Sequence, residues 1–112
     1  MEVRSEYADG TLYIRLIGEL DHHAAEGTLR RMEQEADRYL PVRCAVDLSG
    51  LTFMDSSGIA VFLRMKKRMR ETDGEVLLID PRTQPAHVIS ASGLGKMIPV
   101  KRRERRRKNE VR

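Results

Sequence analysis

Leu12, Ile14 and Leu16 alternate with Tyr13 and Arg15, the period of a strand with one buried face. Asp9-Gly10 just before this run suits a tight turn and makes Val3 to Tyr7 the other arm of a hairpin. From Asp21 the period lengthens: Ala25, Leu29, Met32, Ala36 and Leu40 trace one face of a helix that Pro41 ends. Cys44-Ala45-Val46-Asp47-Leu48 reads as a central strand. After Gly58, Ile59, Phe62, Leu63 and Met69 fall on one face of a second helix, which stops near Asp73-Gly74. Val76 to Ile79 is a further buried strand closed by Asp80-Pro81, and Gln84 to Ser90 a short third helix capped at Ser92-Gly93. Met97-Ile98-Pro99-Val100 completes the series as an edge strand, because Pro99 has no N–H to give a ladder.

Strands alternating with helices require parallel pairing and right-handed crossovers. The opening hairpin makes the sheet mixed. The predicted class is α/β, a small mixed sheet of four to five strands with helices packed mainly on one face. A chain of 112 residues has room for one domain, and with two Phe and no Trp its core is aliphatic. No apolar run approaches the ~20 residues of a membrane span, and Met1-Glu2-Val3-Arg4-Ser5 does not open a signal peptide. The lone Cys44, in an apolar run, forms no internal disulfide, behaves as inert packing and fits a reducing cytoplasm.

The formal net charge of +4 is unevenly spread. Residues 101–112 hold eight Lys or Arg against two Glu, which leaves residues 1–100 at −2. The reading is a slightly acidic domain over residues 1–100 and a basic tail over residues 101–112, disordered or a frayed helix. Such a tail suits weak, salt-dependent nucleic-acid binding, although no aromatic residue interleaves for base stacking. That is the alternative function, an interaction module acting through the tail.

The candidate chemistry lies at Asp55-Ser56-Ser57-Gly58, where the second helix begins. Asp and Ser favour helix caps, so the spacing alone describes a capping sequence. A helix N-terminus also attracts phosphate through unpaired N–H groups and the helix dipole, which makes Ser56 and Ser57 candidates for a phosphorylation switch. Gly-x-Ser-x-Gly is absent and His87 has no supporting acid, which excludes a serine hydrolase. Asp21-His22-His23 lacks further ligands at zinc spacing; Asp21 reads as an N-cap with exposed His neighbours and no metal. A phosphate-accepting receiver domain also fails, for want of an acidic pair after the first strand.

Two segments carry a resemblance. Gly18-Glu19-Leu20-Asp21-His22-His23 and Leu51-Thr52-Phe53-Met54-Asp55-Ser56-Ser57-Gly58 resemble the matching segments of STAS-domain anti-sigma factor antagonists of the sporulation type. Gly74-Glu75 and Ser92-Gly93-Leu94 follow in the family's order. The resemblance implies the STAS fold and a partner-switching regulator that is not an enzyme and has no cofactor. Its unphosphorylated form would bind an anti-sigma factor that is also a serine kinase, releasing a sigma factor. Phosphorylation would fall on Ser56, the serine directly after Met-Asp, and a metal-dependent serine phosphatase would reverse it. Glu19, Asp21, His22, Met54, Asp55, Ser57, Gly58 and Ile59 would contact the partner, with Gly58 keeping a phosphorylation loop slim enough for the kinase cleft. The resemblance also implies a terminal amphipathic helix over the sheet, for which the tail offers only Val111 to bury. A monomer or weak dimer is expected.

Overall fold

A computed structural model describes residues 1–103. Five strands, β1 (Glu2–Ala8), β2 (Thr11–Leu20), β3 (Arg43–Met54), β4 (Glu75–Ile79) and β5 (Val100–Lys101), form one sheet in sequence order. Helices α1 (His22–Tyr39), α2 (Ser56–Arg70) and α3 (Thr83–Ser92) fill the crossovers, with a 3-10 turn at Leu94–Lys96. β1 is antiparallel to β2 and every other pairing is parallel, the mixed sheet expected from a hairpin followed by alternating elements. Asp9 and Gly10 both take positive φ, 51° and 82°, as a tight two-residue hairpin requires.

The inward residues of β2 (Leu12, Ile14, Leu16 and Leu20) and of β3 (Cys44, Val46 and Leu48) have no exposure. They pack with Met32 and Ala36 of α1 and Val61, Phe62, Met65 and Met69 of α2. Burying each large side chain favours the fold by roughly 1.5–3 kcal/mol. Of the face predicted for α2, Phe62 and Met69 are buried while Ile59 and Leu63 border the core. On the other face of the sheet, Arg4, Glu6, Tyr13, Arg15 and Asp47 line an open depression that Arg103 enters. Arg103 Nη2 stands 2.7 Å from an Asp47 oxygen, while its Nε and its backbone N–H donate to Asp80 at 3.0 and 2.7 Å.

Three expectations need correction. Leu40 does not continue the buried face of α1: it closes the helix in the left-handed conformation (φ 46°), and that turn leaves it 68% exposed. β3 does not end at Leu48 but runs to Met54, so the segment read as a phosphorylation loop is strand as far as Met54 and helix from Ser56. The last strand begins at Val100 and not at Met97. The 3-10 turn sends Ile98 into the core first, and Pro99 contributes only a carbonyl that accepts from the Leu78 N–H at 2.9 Å. Its edge position holds.

Lys101 and Arg103 already belong to the folded body, beyond the boundary drawn at residue 100. The rest of the basic tail, residues 104–112 with Val111, lies outside the described residues. Among the described residues no helix is long and apolar enough to cross a membrane.

Candidate functional site at the twin strand-to-helix turns

Two strand-to-helix turns stand side by side at one end of the sheet. β2 ends at Leu20 and β3 at Met54, which are register partners. Asp21 and Asp55 follow them in the same extended conformation, φ −101° with ψ −173° and φ −115° with ψ −166°. Asp21 caps α1 by accepting the Ala24 N–H at 3.0 Å, and Asp55 caps α2 by accepting the Ser57 N–H at 2.8 Å. The Asp55 N–H donates to the Leu20 carbonyl at 3.3 Å, which ties one turn to the other. The two sequence segments singled out above, some thirty residues apart, are thus adjacent in space.

Ser56 is the first residue of α2 and is exposed. Among the described residues its hydroxyl makes no hydrogen bond to another side chain. What it offers is a free hydroxyl at the positive end of a helix, where a phosphoryl group can be carried without displacing packed atoms. Ser57 is half-buried, and its backbone N–H is already used by the Asp55 cap. Glu19 and His22 are exposed on the neighbouring turn, Asp21 and Asp55 are half-buried, and Ile59 is half-buried one turn into α2. The His22 and His23 rings meet edge-on at 5.9 Å.

Met54 and Gly58 are the misplaced members of the predicted contact set. Met54 has no exposed surface and belongs to the core, so its side chain cannot touch a docked protein. Gly58 is buried in the first turn of α2, where a Cβ would lie 3.1 Å from Leu20 Cδ2 and 3.3 Å from Met54 Cβ. Its smallness lets helix and strand approach and does not slim a loop. Cys44 is fully buried, and burial pushes its thiol up to about 12, which keeps it protonated and unreactive.

Two residues of the site were not legible in the sequence. Phe53, 37% exposed, stands opposite Glu19 near the end of β3 because β3 slips register against β2 between the Gly18–Leu51 and Glu19–Phe53 pairs. No sequence pattern announces that irregularity. Gln84 of α3 reaches the same strand end and hydrogen-bonds the backbone of Met54 from both sides of its carboxamide. That is a contact between residues far apart in the chain, with no local signal.

The model of the STAS domain family matches residues 2–106. An anti-sigma F factor antagonist of Paenibacillus polymyxa is 32% identical over 100 residues, covering 89% of this chain and 86% of that one. Another, from Lysinibacillus sphaericus, is 35% identical over 85 residues, covering 76% and 73%. Among solved structures, the anti-sigma factor antagonist SpoIIAA in its unphosphorylated form superposes with TM-score 0.76 at 29% identity, over 88% of this chain and 87% of that one. The Bacillus cell fate determinant SpoIIAA in its phosphorylated form gives TM-score 0.67 at 29% identity, over 88% and 90%.

Proposed function

The chain belongs to the STAS domain family, and we propose that it acts as an anti-sigma factor antagonist switched by phosphorylation of Ser56. In the unphosphorylated form it binds an anti-sigma factor that is also a serine kinase, and the sigma factor is released. The observation that carries this reading is the exposed Ser56 hydroxyl at the start of α2, in a chain 29% identical to a protein solved in unphosphorylated and phosphorylated forms.

The switch needs no refolding. A phosphate on Ser56 adds about −1.5 to −2 charge next to the Asp55 carboxylate. Like-charge repulsion and the cost of burying that charge then oppose docking on the same surface. Glu19 and His22 on the neighbouring turn, Ser57 and Ile59 on α2, and Phe53 on β3 form the rest of the contact surface, with Asp21 and Asp55 holding the turns in shape. ATP, Mg²⁺ and the transfer chemistry belong to the kinase; this chain is its substrate and not an enzyme. A metal-dependent serine phosphatase restores the binding form. The protein works in the cytoplasm as a monomer or weak dimer. The basic end supports nucleic-acid binding less well than its composition suggested, since Arg103 is engaged by Asp47 and Asp80.

The test is to purify the chain with a kinase-type anti-sigma factor of the same organism. Calorimetry should show a complex that ATP dissolves, and mass spectrometry should find one phosphate, on Ser56. Phosphate on Ser57 would reassign the residue. Absence of both complex and phosphorylation, across every such kinase of the organism, would refute the function.

A further inference from the structure

β3 outruns its neighbour. β4 pairs with it only as far as the Asp47–Ile79 partners, whereas β3 continues to Met54. On the β2 side Met54 still has a partner in Leu20, and the Asp55 N–H still finds the Leu20 carbonyl. On the β4 side no strand remains among the described residues. Gln84, in the first turn of α3, takes that place: its Oε1 accepts the Met54 N–H at 2.9 Å and its Nε2 donates to the Met54 carbonyl at 3.0 Å. A carboxamide presents an acceptor and a donor side by side, as a peptide group does, so one side chain supplies both bonds that a strand would.

We infer that Gln84 is a positioning residue for the Ser56 acceptor. Met54 is the last strand residue before the Asp55 cap, and Ser56 follows that cap. Fixing Met54 on both sides fixes the direction in which Asp55 and Ser56 leave the sheet. Without Gln84 the strand end is tethered on the β2 side alone and the first turn of α2 swings about that tether. α3 thereby becomes part of the switch although it carries no phosphate. The acceptor role rests on the functional reading above; the bracing itself rests on the geometry.

The test uses Gln84→Glu and Gln84→Ala in the full chain. An ionised Glu side chain can accept from the Met54 N–H but has no proton for the carbonyl, and repels it. Protonated, below the ordinary Glu value of about 4.3, it can do both. In Gln84→Glu the amide resonances of Met54, Asp55 and Ser56 should depart from those of the unaltered chain at neutral pH and return towards them on acidification. A residue that served only general stability would give no such local, reversible titration. In Gln84→Ala, exchange of the Met54 amide should rise about tenfold, the scale of one lost hydrogen bond. With the kinase, kcat for Ser56 phosphorylation should fall about tenfold while KM stays within about twofold, the pattern of lost orientation without lost docking. Unchanged resonances at all three amides in both variants, with only a lower melting temperature, would overturn the bracing. If the resonances shift but the unaltered chain accepts no phosphate from any such kinase, the acceptor role falls with the functional reading.

Discussion

The two turns at the end of the sheet share one plan and differ in what it carries. Each leaves a buried strand residue (Leu20 or Met54), passes an extended Asp cap and enters a helix. Asp21 reaches the third helical residue, Ala24, whereas Asp55 reaches the second, Ser57. The α1 turn then shows two imidazoles to solvent, and the α2 turn shows a hydroxyl. Behind them, Gln84 hydrogen-bonds the strand end that leads into α2, and Gly58 lets that helix press close onto Leu20. An Asp cap is therefore architecture at both places. The turns differ in what occupies the first helical position, His22 or Ser56, and in what braces the strand end behind it, and on the proposed reading that difference decides which turn takes the phosphate.

The sharpest attempt to break this distinction is to move the hydroxyl. Ser56→Ala should abolish phosphate incorporation by the kinase while complex formation persists, and Ser57→Ala should leave incorporation intact. Adding His22→Ser to Ser56→Ala should not restore incorporation, because the α1 turn lacks the Gln84 brace. Phosphate on residue 22 of the double variant, detected by mass spectrometry, would show that any capped serine at this end suffices. Next in size is the close approach at Gly58. Gly58→Val places branched carbon against Leu20 and Met54, neither of which has any exposed surface into which to move. Overpacking of this kind costs about 1–3 kcal/mol, which urea unfolding would register. Ala24→Val in the half-buried equivalent position of α1 should cost distinctly less.

Most of the framework was legible in the residues, and what escaped has physical causes. Alternation at Leu12, Ile14 and Leu16, the helical spacing of Met32 and Ala36, and the Asp9-Gly10 and Gly93 signals each expressed a local rule, and the structure keeps them. The Ser56 turn was found as a cap and then as a family segment. Its supports were not found, because they are made of tertiary contacts. Met54 entered the contact set with the family segment, yet it has no exposed surface and belongs to the core. Gly58 looked like a loop glycine because nothing in the sequence shows Leu20 pressed against it. Leu40 fell on the apolar period of α1, but the left-handed turn at the helix end overrides periodicity there.

The caps themselves supply the third comparison. Asp21→Ala and Asp55→Ala each remove one side-chain bond to a helix N-terminus, a loss of about 1 kcal/mol for either. Their stabilities, measured by urea unfolding, should therefore fall alike. Their phosphorylation should not: Asp55→Ala frees the turn that carries Ser56 and should slow incorporation, while Asp21→Ala should leave the rate close to that of the unaltered chain. Equal slowing by both would mean that the turns act as one unit through the bond from Asp55 to the Leu20 carbonyl.

The smallest expected effect tests whether the switch is confined to this end of the sheet. Arg103 joins Asp47 and Asp80 on the open face, away from the turns along β3. Burial pushes the Asp47 carboxyl up, but the Ser49 N–H at 2.9 Å and the Arg103 guanidinium outweigh it, so the group titrates below the usual carboxylate range. A carboxyl depressed in the fold contributes stability above its unfolded value, and that contribution is lost as the pH falls through its folded value. Arg103→Ala should thus cost less than about 1 kcal/mol near neutrality, since the guanidinium side chain is 54% exposed and screened by water. The gap between variant and unaltered chain should narrow as the pH drops below the ordinary Asp value of about 3.9, and should shrink with added salt. Affinity for the kinase and phosphorylation of Ser56 should not change. A loss of affinity approaching that caused by phosphate on Ser56 would place the basic end of the chain inside the docking surface, and the distinction between the two turns would then no longer account for the switch.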